Sequence, residues 1–218
     1  MPKKIWRYTL LSLIGLLFAW LGVHTGLKLL RQPTFDDAIL FGVCVFISLR
    51  IGYELTLHRA SAPVIASSYP ARRRMARILK QDADARKVTP YTVVDLGSGC
   101  GELVRFIARA IPQANVVGIE NAFWPYALAK TVARLLRIGN ADFRRMDLFD
   151  YDCSHADAVV IYLNYTVTPE VGEKLRKEMK PGALIISNEF ELRGGWQAVE
   201  TITFHTPFKG TLFVYRQV

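Results

Sequence analysis

Two apolar blocks open the chain. From Tyr8 to Leu27, in YTLLSLIGLLFAWLGVHTGL, no side chain is formally charged. A helix of these twenty residues would rise ~30 Å, the thickness of a bilayer's hydrocarbon core. The second block, Ala38 to Leu49, reaches that length only if its helix runs on through Arg50 and Glu54 to about residue 57. Those two charges are four residues apart and share a helix face, so they can pair or snorkel toward headgroups. The pattern predicts a transmembrane helical hairpin over about 8–27 and 38–57, an anchor occupying residues 1–60. A re-entrant or interfacial helix is the alternative for the second block. Lys3, Lys4 and Arg7 ahead of the first block also fit a signal peptide, but the apolar run exceeds the usual ~7–15 residues and no small-x-small site follows it.

After a polar linker at Gln81–Lys87 the period changes. Strand-like runs stand at Thr92–Leu96, Asn115–Ile119, Ala141–Met146, Ala158–Leu163 and Ala183–Ser187. Helical patterns at Glu102–Ala110, Trp124–Ile138 and Pro169–Met179 separate several of them, the last stopped by Pro181-Gly182. Such alternation predicts an α/β fold with a parallel sheet covered on both faces. Trp196–Phe204 and Thr211–Tyr215 have no helix between them and predict an antiparallel hairpin at the sheet's edge. The whole is a seven-stranded Rossmann-like sheet over residues 91–218, with a basic helix and linker at 61–90.

Charge changes the picture by its placement. The 218-residue chain carries +9, and residues 1–90 hold 14 Lys and Arg against 5 Asp and Glu while residues 91–218 hold 14 against 14. Basic residues beside apolar segments point to a membrane surface, and a neutral second half argues against nucleic acid as partner. A positive N-terminus favours an N-inside first helix, and the cluster Arg72, Arg73, Arg74, Arg77 and Lys80 favours a return to the same side. Within Pro70–Lys80, Met75, Ile78 and Leu79 share one side, so the basic face either lies on anionic headgroups or is simply solvated. The three cysteines and four histidines are scattered, which suits a reducing compartment and gives no metal-ligand spacing.

The densest chemistry lies in VVDLGSGCGELV, Val93 to Val104. A missing Cβ lets backbone adopt positive φ and approach a ligand closely, and in a doubly wound sheet ligands bind where strands end. A pyrophosphate-binding turn, G-x-G-x-x-G/A, would need Gly or Ala where Glu102 stands. The observed G-x-G-x-G at Gly97, Ser98, Gly99, Cys100 and Gly101, with Asp95 ahead of it, suits S-adenosylmethionine, whose ammonium an acid can reach. Glu120, with Asn121 after it, ends the second strand, where a carboxylate can accept from both ribose hydroxyls. Asp147 follows the third strand, where it can accept from an adenine amino group while Met146, Leu148 or Phe149 pack on the ring.

These residues resemble the class I S-adenosylmethionine-dependent methyltransferases. More narrowly, the chain looks like the membrane-anchored protein-lysine methyltransferases of mitochondria that modify the ATP synthase c-subunit and the adenine nucleotide translocator, and their bacterial relatives. The likeness covers roughly Pro63 to Trp196. It rests on Ala62–Ser68 (APVIASS), the glycine turn, Gly118–Trp124 (GIENAFW), Met146–Phe149 (MDLF) and Asn188–Trp196 (NEFELRGGW). Departures fall where the family usually has an acid at Cys100, a base at Glu102, and Asn-Pro-Trp at Asn121-Ala122-Phe123-Trp124; they touch substrate choice more than cofactor binding.

The resemblance implies a membrane-protein lysine as substrate and a bacterial or mitochondrial inner membrane as location, with the enzymatic domain facing cytoplasm or matrix. A lipid or quinone-like acceptor, or a scaffold that binds the cofactor without activity, is the alternative. Substrate-facing candidates are Tyr162 and Asn164 after the fourth strand, with Tyr165 beside them, and Glu189 after the fifth. Asn164 can equally cap the following helix, and Glu189 can be a surface acid.

Overall fold

The computed structural model describes residues 2–31, 34–56, 67–204 and 210–218. The chain forms two compact units, residues 1–61 and 62–218. In the first, α1 (Pro2–Arg31) and α2 (Phe35–Thr56) pack on each other. Gly26 packs closely against the Phe41 ring, where a Cβ would come within 2.9 Å, and Lys28 pairs with Asp37 at 3.0 Å.

The expected transmembrane hairpin is corrected here: among the described residues no helix is long and apolar enough to cross a membrane. Asp36, Asp37, Arg50 and Glu54 all fall inside α2 and leave twelve uncharged residues between Asp37 and Arg50. Those residues rise ~18 Å against the ~30 Å of a bilayer core. Toward its C-terminal end α1 turns polar, with His24, Thr25 and the paired Lys28.

In the second unit α3 (Tyr69–Arg86) starts at Ser68, whose Oγ accepts from the Ala71 amide at 3.4 Å, with Pro70 in the first turn. Its apolar side buries Met75 and Leu79. The predicted linker at Gln81–Lys87 is instead the last turns of this helix. Asp82 is drawn inside, accepting from Tyr91 Oη at 2.6 Å and Arg86 Nε at 2.8 Å. Of the predicted segment Ala62–Ser68, only Ser67 and Ser68 are among the described residues.

The remaining elements run β1 (Tyr91–Leu96), α4 (Glu102–Ala110), β2 (Ala114–Glu120), α5 (Phe123–Leu135), β3 (Ala141–Arg145), β4 (Ala158–Ile161), α6 (Thr168–Glu178), β5 (Leu184–Asn188), β6 (Glu200–Phe204) and β7 (Gly210–Arg216). They make a seven-stranded sheet in the order β3-β2-β1-β4-β5-β7-β6. The first five strands are parallel, and β7 pairs antiparallel with both β5 and β6. Helices α3, α4 and α5 cover one face; α6 and the loops carrying Tyr151 and Trp196 cover the other. Strand β6 begins at Glu200 rather than Trp196, because the indole turns inward: Nε1 donates to Gly172 O at 3.1 Å and the ring packs edge-on against Tyr215.

Strand order reverses between β1 and β4, which opens a crevice at their C-terminal ends. Register fixes what lines it. Leu96 is level with Ile119 and Ile161, and Ile161 with Ser187. The next residue of each strand therefore forms a row across the sheet's edge: Glu120, Gly97, Tyr162 and Asn188.

Candidate functional site

The glycine turn hangs from β2. Gly97 and Ser98 both donate to Ile119 O at 2.9 Å, and Gly101 donates to Ser98 O at 2.9 Å. Gly97, Gly99 and Gly101 have φ of 87°, 53° and 73°, a region costly for a residue with a Cβ. At Gly101 a Cβ would meet the Phe143 ring at 2.5 Å and Ala129 at 2.8 Å. The turn is closed from behind by packing, and its open side is bare backbone.

Glu120 reaches back into this turn. Its Oε2 accepts from Gly99 N and its Oε1 from Ala122 N, at 2.9 and 2.8 Å. Each oxygen keeps a second lone-pair direction, so the carboxylate can hold the turn and still accept from a diol. Asp95, 4% exposed, lies under the same turn, and burial together with the Glu120 charge pushes its carboxyl up to about 7. A buried carboxylate without a cation favours its neutral form. Ser98 Oγ is buried and has no partner among the described residues.

These features fit S-adenosylmethionine. Its ammonium would be a cation beside Asp95, its ribose diol would offer two donors to Glu120, and its methionine part could lie on backbone where no Cβ intrudes.

On the adenine side the fit is less direct. Asp147 Oδ1 already accepts from Phe149 N at 3.0 Å, shaping its own turn. Met146, Leu148 and Phe149 are partly buried against the core on the α6 face. Asn121 is exposed, its carbonyl accepting from Arg145 Nε, whose guanidinium stacks on Phe123 at 5.3 Å.

The substrate-side candidates separate. Tyr162 is half-buried in the crevice row; its ring stands 6.5 Å from that of Phe190, and burial and the Glu189 charge raise its phenol, which stays protonated. Asn164 closes the turn that leads into α6, whose own N-cap position is Val167: its Oδ1 accepts from Thr166 N at 3.0 Å and Val167 N at 3.2 Å, and also from the Thr166 hydroxyl. Tyr165 is exposed. Glu189 is exposed, at φ 67°, with its carboxylate over Gly210 and its amide donating to Thr211 O at 2.7 Å.

Asn188 and Ser67 lie in segments that carry the resemblance but were not expected as site residues. Asn188 is 3% exposed, and its Nδ2 donates to Ser67 Oγ at 3.1 Å while its Oδ1 has no partner among the described residues. The signal was present as an amide closing the strand LIISN, one place before the more conspicuous Glu189. Cys100 and Glu102, where the turn departs from its relatives, lie outside the row. Glu102 pairs with Arg72 at 2.9 Å and Cys100 O accepts from Arg105.

Comparison with known proteins places this geometry. A family model described as the ANTKMT methyltransferase domain matches residues 95–200. The protein-lysine N-methyltransferase of Saccharolobus islandicus (strain REY15A) is 30% identical over 143 residues, 64% of this chain and 83% of that protein. Among solved structures, an RNA methyltransferase from Salinibacter ruber in complex with S-adenosyl-L-homocysteine has a TM-score of 0.58 at 25% identity, over 70% of this chain and 93% of that one. Precorrin-6y C5,15-methyltransferase from Geobacter metallireducens GS-15 shares the fold, with a TM-score of 0.52 at 13% identity over 73% of this chain and 93% of its own.

Proposed function

Because the chain belongs to the class I S-adenosylmethionine-dependent methyltransferases, we propose that it methylates the side-chain amine of a lysine in a protein substrate. The observation that carries the lysine is the match to the Saccharolobus islandicus protein-lysine N-methyltransferase across 83% of that protein.

When bound, the cofactor supplies an electrophilic methyl on a sulfonium, which leaves as the neutral thioether S-adenosylhomocysteine. The chain's share is alignment and exclusion of water. Asp95 and Glu120 fix the two ends of the cofactor's polar part from beneath the glycine turn. The incoming amine must be neutral to offer its lone pair, and a desolvated crevice lowers the pKa of an ammonium. Tyr162, held protonated, borders that crevice without adding charge. With the cofactor held there, the C–S electron pair would return to it as the N–C bond formed, and the amine's surplus proton would pass to solvent.

The test is a labelled-methyl assay of the full chain on a whole-proteome extract, followed by acid hydrolysis and amino-acid analysis. Label in mono-, di- or trimethyl-lysine is expected. Label recovered from another amino acid, from nucleic acid or from lipid would refute the reading.

A further inference from the structure

Two buried side-chain oxygens near the crevice have no partner among the described residues, and they belong to different parts of the fold. Ser98 Oγ lies in the glycine turn, on the side where the cofactor would bind. Asn188 Oδ1 lies at the far end of the row, two strands from Gly97. At ~4.8 Å per strand that is roughly 10 Å of separation, with Tyr162 on the strand between.

The face is fixed by the pairing of Asn188 with Leu212, which belongs to the same buried layer as Leu184 and Ile186. Asp95 shares this face, since Asp95 is level with Val160, and Val160 with Ile186. Asn188 therefore stands one pleat beyond the apolar core, on the side from which Asp95 serves the turn.

A buried amide oxygen left without a donor costs stability that an apolar residue of similar shape would not. Ser67 occupies the amide's other end and leaves the oxygen as the unpaired atom. Immediately afterwards the chain turns through Glu189 in the left-handed region, so the amide sits at the strand's last regular position.

We infer that Asn188 Oδ1 accepts a hydrogen bond from the amine that receives the methyl group, and that Ser67 is the positioning residue that orients the amide. The inference rests on the lysine reading above. A neutral amine keeps N–H groups as well as its lone pair. An acceptor that fixes one N–H restricts the nitrogen's rotation and leaves the lone pair for the methyl carbon.

Binding to the full chain tests this without a known protein substrate. The probes are two analogues of S-adenosylhomocysteine in which nitrogen replaces sulfur, one bearing a 3-aminopropyl arm and the other a propyl arm. Wild type should prefer the amine by roughly tenfold, the worth of one charge-assisted hydrogen bond, while Asn188→Leu should lose that preference and bind S-adenosylhomocysteine within about twofold of wild type. Asn188→Asp, which keeps an acceptor, should retain the preference, and Ser67→Ala should weaken it. An unchanged preference in Asn188→Leu, or none in wild type, overturns the inference. Failure of the lysine reading shows separately, as label in something other than lysine with S-adenosylhomocysteine still bound.

Discussion

The Tyr91 hydroxyl donates to the buried Asp82 carboxylate at 2.6 Å, joining the last turn of α3 to the first residue of β1. Burial and the adjacent carboxylate raise the phenol's pKa, so the donor persists at any working pH. Asp82 also holds Arg86 and, at 2.6 Å, Arg216 of β7. Tyr91→Phe keeps the packing and removes one charge-assisted bond, so stability should fall by about 1–3 kcal/mol. Urea unfolding should show a lower midpoint at unchanged slope.

Asp95 makes stability and cofactor affinity run opposite ways with pH. Its carboxyl titrates near ~4 when unfolded and is pushed up to about 7 in the fold. Between those values the native state holds the proton that the unfolded state has released. The cofactor-free protein should therefore lose stability as pH rises through about 4 to 7, by an amount on the order of a few kcal/mol. Asp95→Asn should flatten that dependence in urea midpoints taken from pH 5 to 8. A cationic ligand prefers the carboxylate, so S-adenosylmethionine affinity in wild type should climb with pH and level off above about 7. Calorimetry in buffers of different ionisation enthalpy should detect the released proton near pH 6.

Gly97→Ala places a Cβ 2.9 Å from the Leu163 tip at φ 87°. The leucine end can shift, but the backbone cannot relax cheaply, at a cost of about 1–2 kcal/mol. Because the turn is also where the ligand meets bare backbone, affinity for S-adenosylmethionine should fall at least roughly tenfold with a native circular dichroism spectrum. Titration calorimetry beside a thermal melt separates the two effects.

Asn164→Ala should act on the fold more than on the reaction. Removing the oxygen that holds the turn ahead of α6 costs about 1–2 kcal/mol, whereas Asn164→Asp keeps that acceptor and should stay near wild type. A turnover loss in Asn164→Ala that survives correction for the unfolded fraction would assign this side chain a role at the amine instead.

How far the sequence carried depends on what each residue touches. Parallel strands are buried on both faces and read as apolar runs, so β1, β2 and β5 stand within a residue or two of expectation, and α4 matches its predicted span. Gln81–Lys87 misled because its composition is polar, although Asp82 and Ala83 are buried and the former meets its partners only through the fold. Trp196 read as strand because an indole suits a sheet; its inward turn depends on Gly172, far away in sequence. The opening apolar blocks read as a hairpin across a bilayer from composition, and the helices they form do not meet that requirement among the described residues. At the site, acids at strand ends announced themselves, but the backbone amides that already bind Glu120 and the amide that ends β5 had no signature in one dimension.

The placement of β7 bears on how the protein comes to exist on the ribosome. Strand β7 follows the other six in chain order yet is an interior one, inserted between β5 and β6 and supplying the Tyr215 hydroxyl that accepts from Leu192 N at 2.9 Å. Until residue 216 has emerged, β5 has one open edge and the segment from Asn188 to Trp196 lacks its anchor. A nascent chain can therefore assemble the glycine turn early and on its own side of the sheet, while the far end of the crevice waits for translation to reach β7. Truncations inside that strand should leave chains able to take up S-adenosylmethionine yet unable to methylate, with an apolar strand edge exposed to chaperones and proteases.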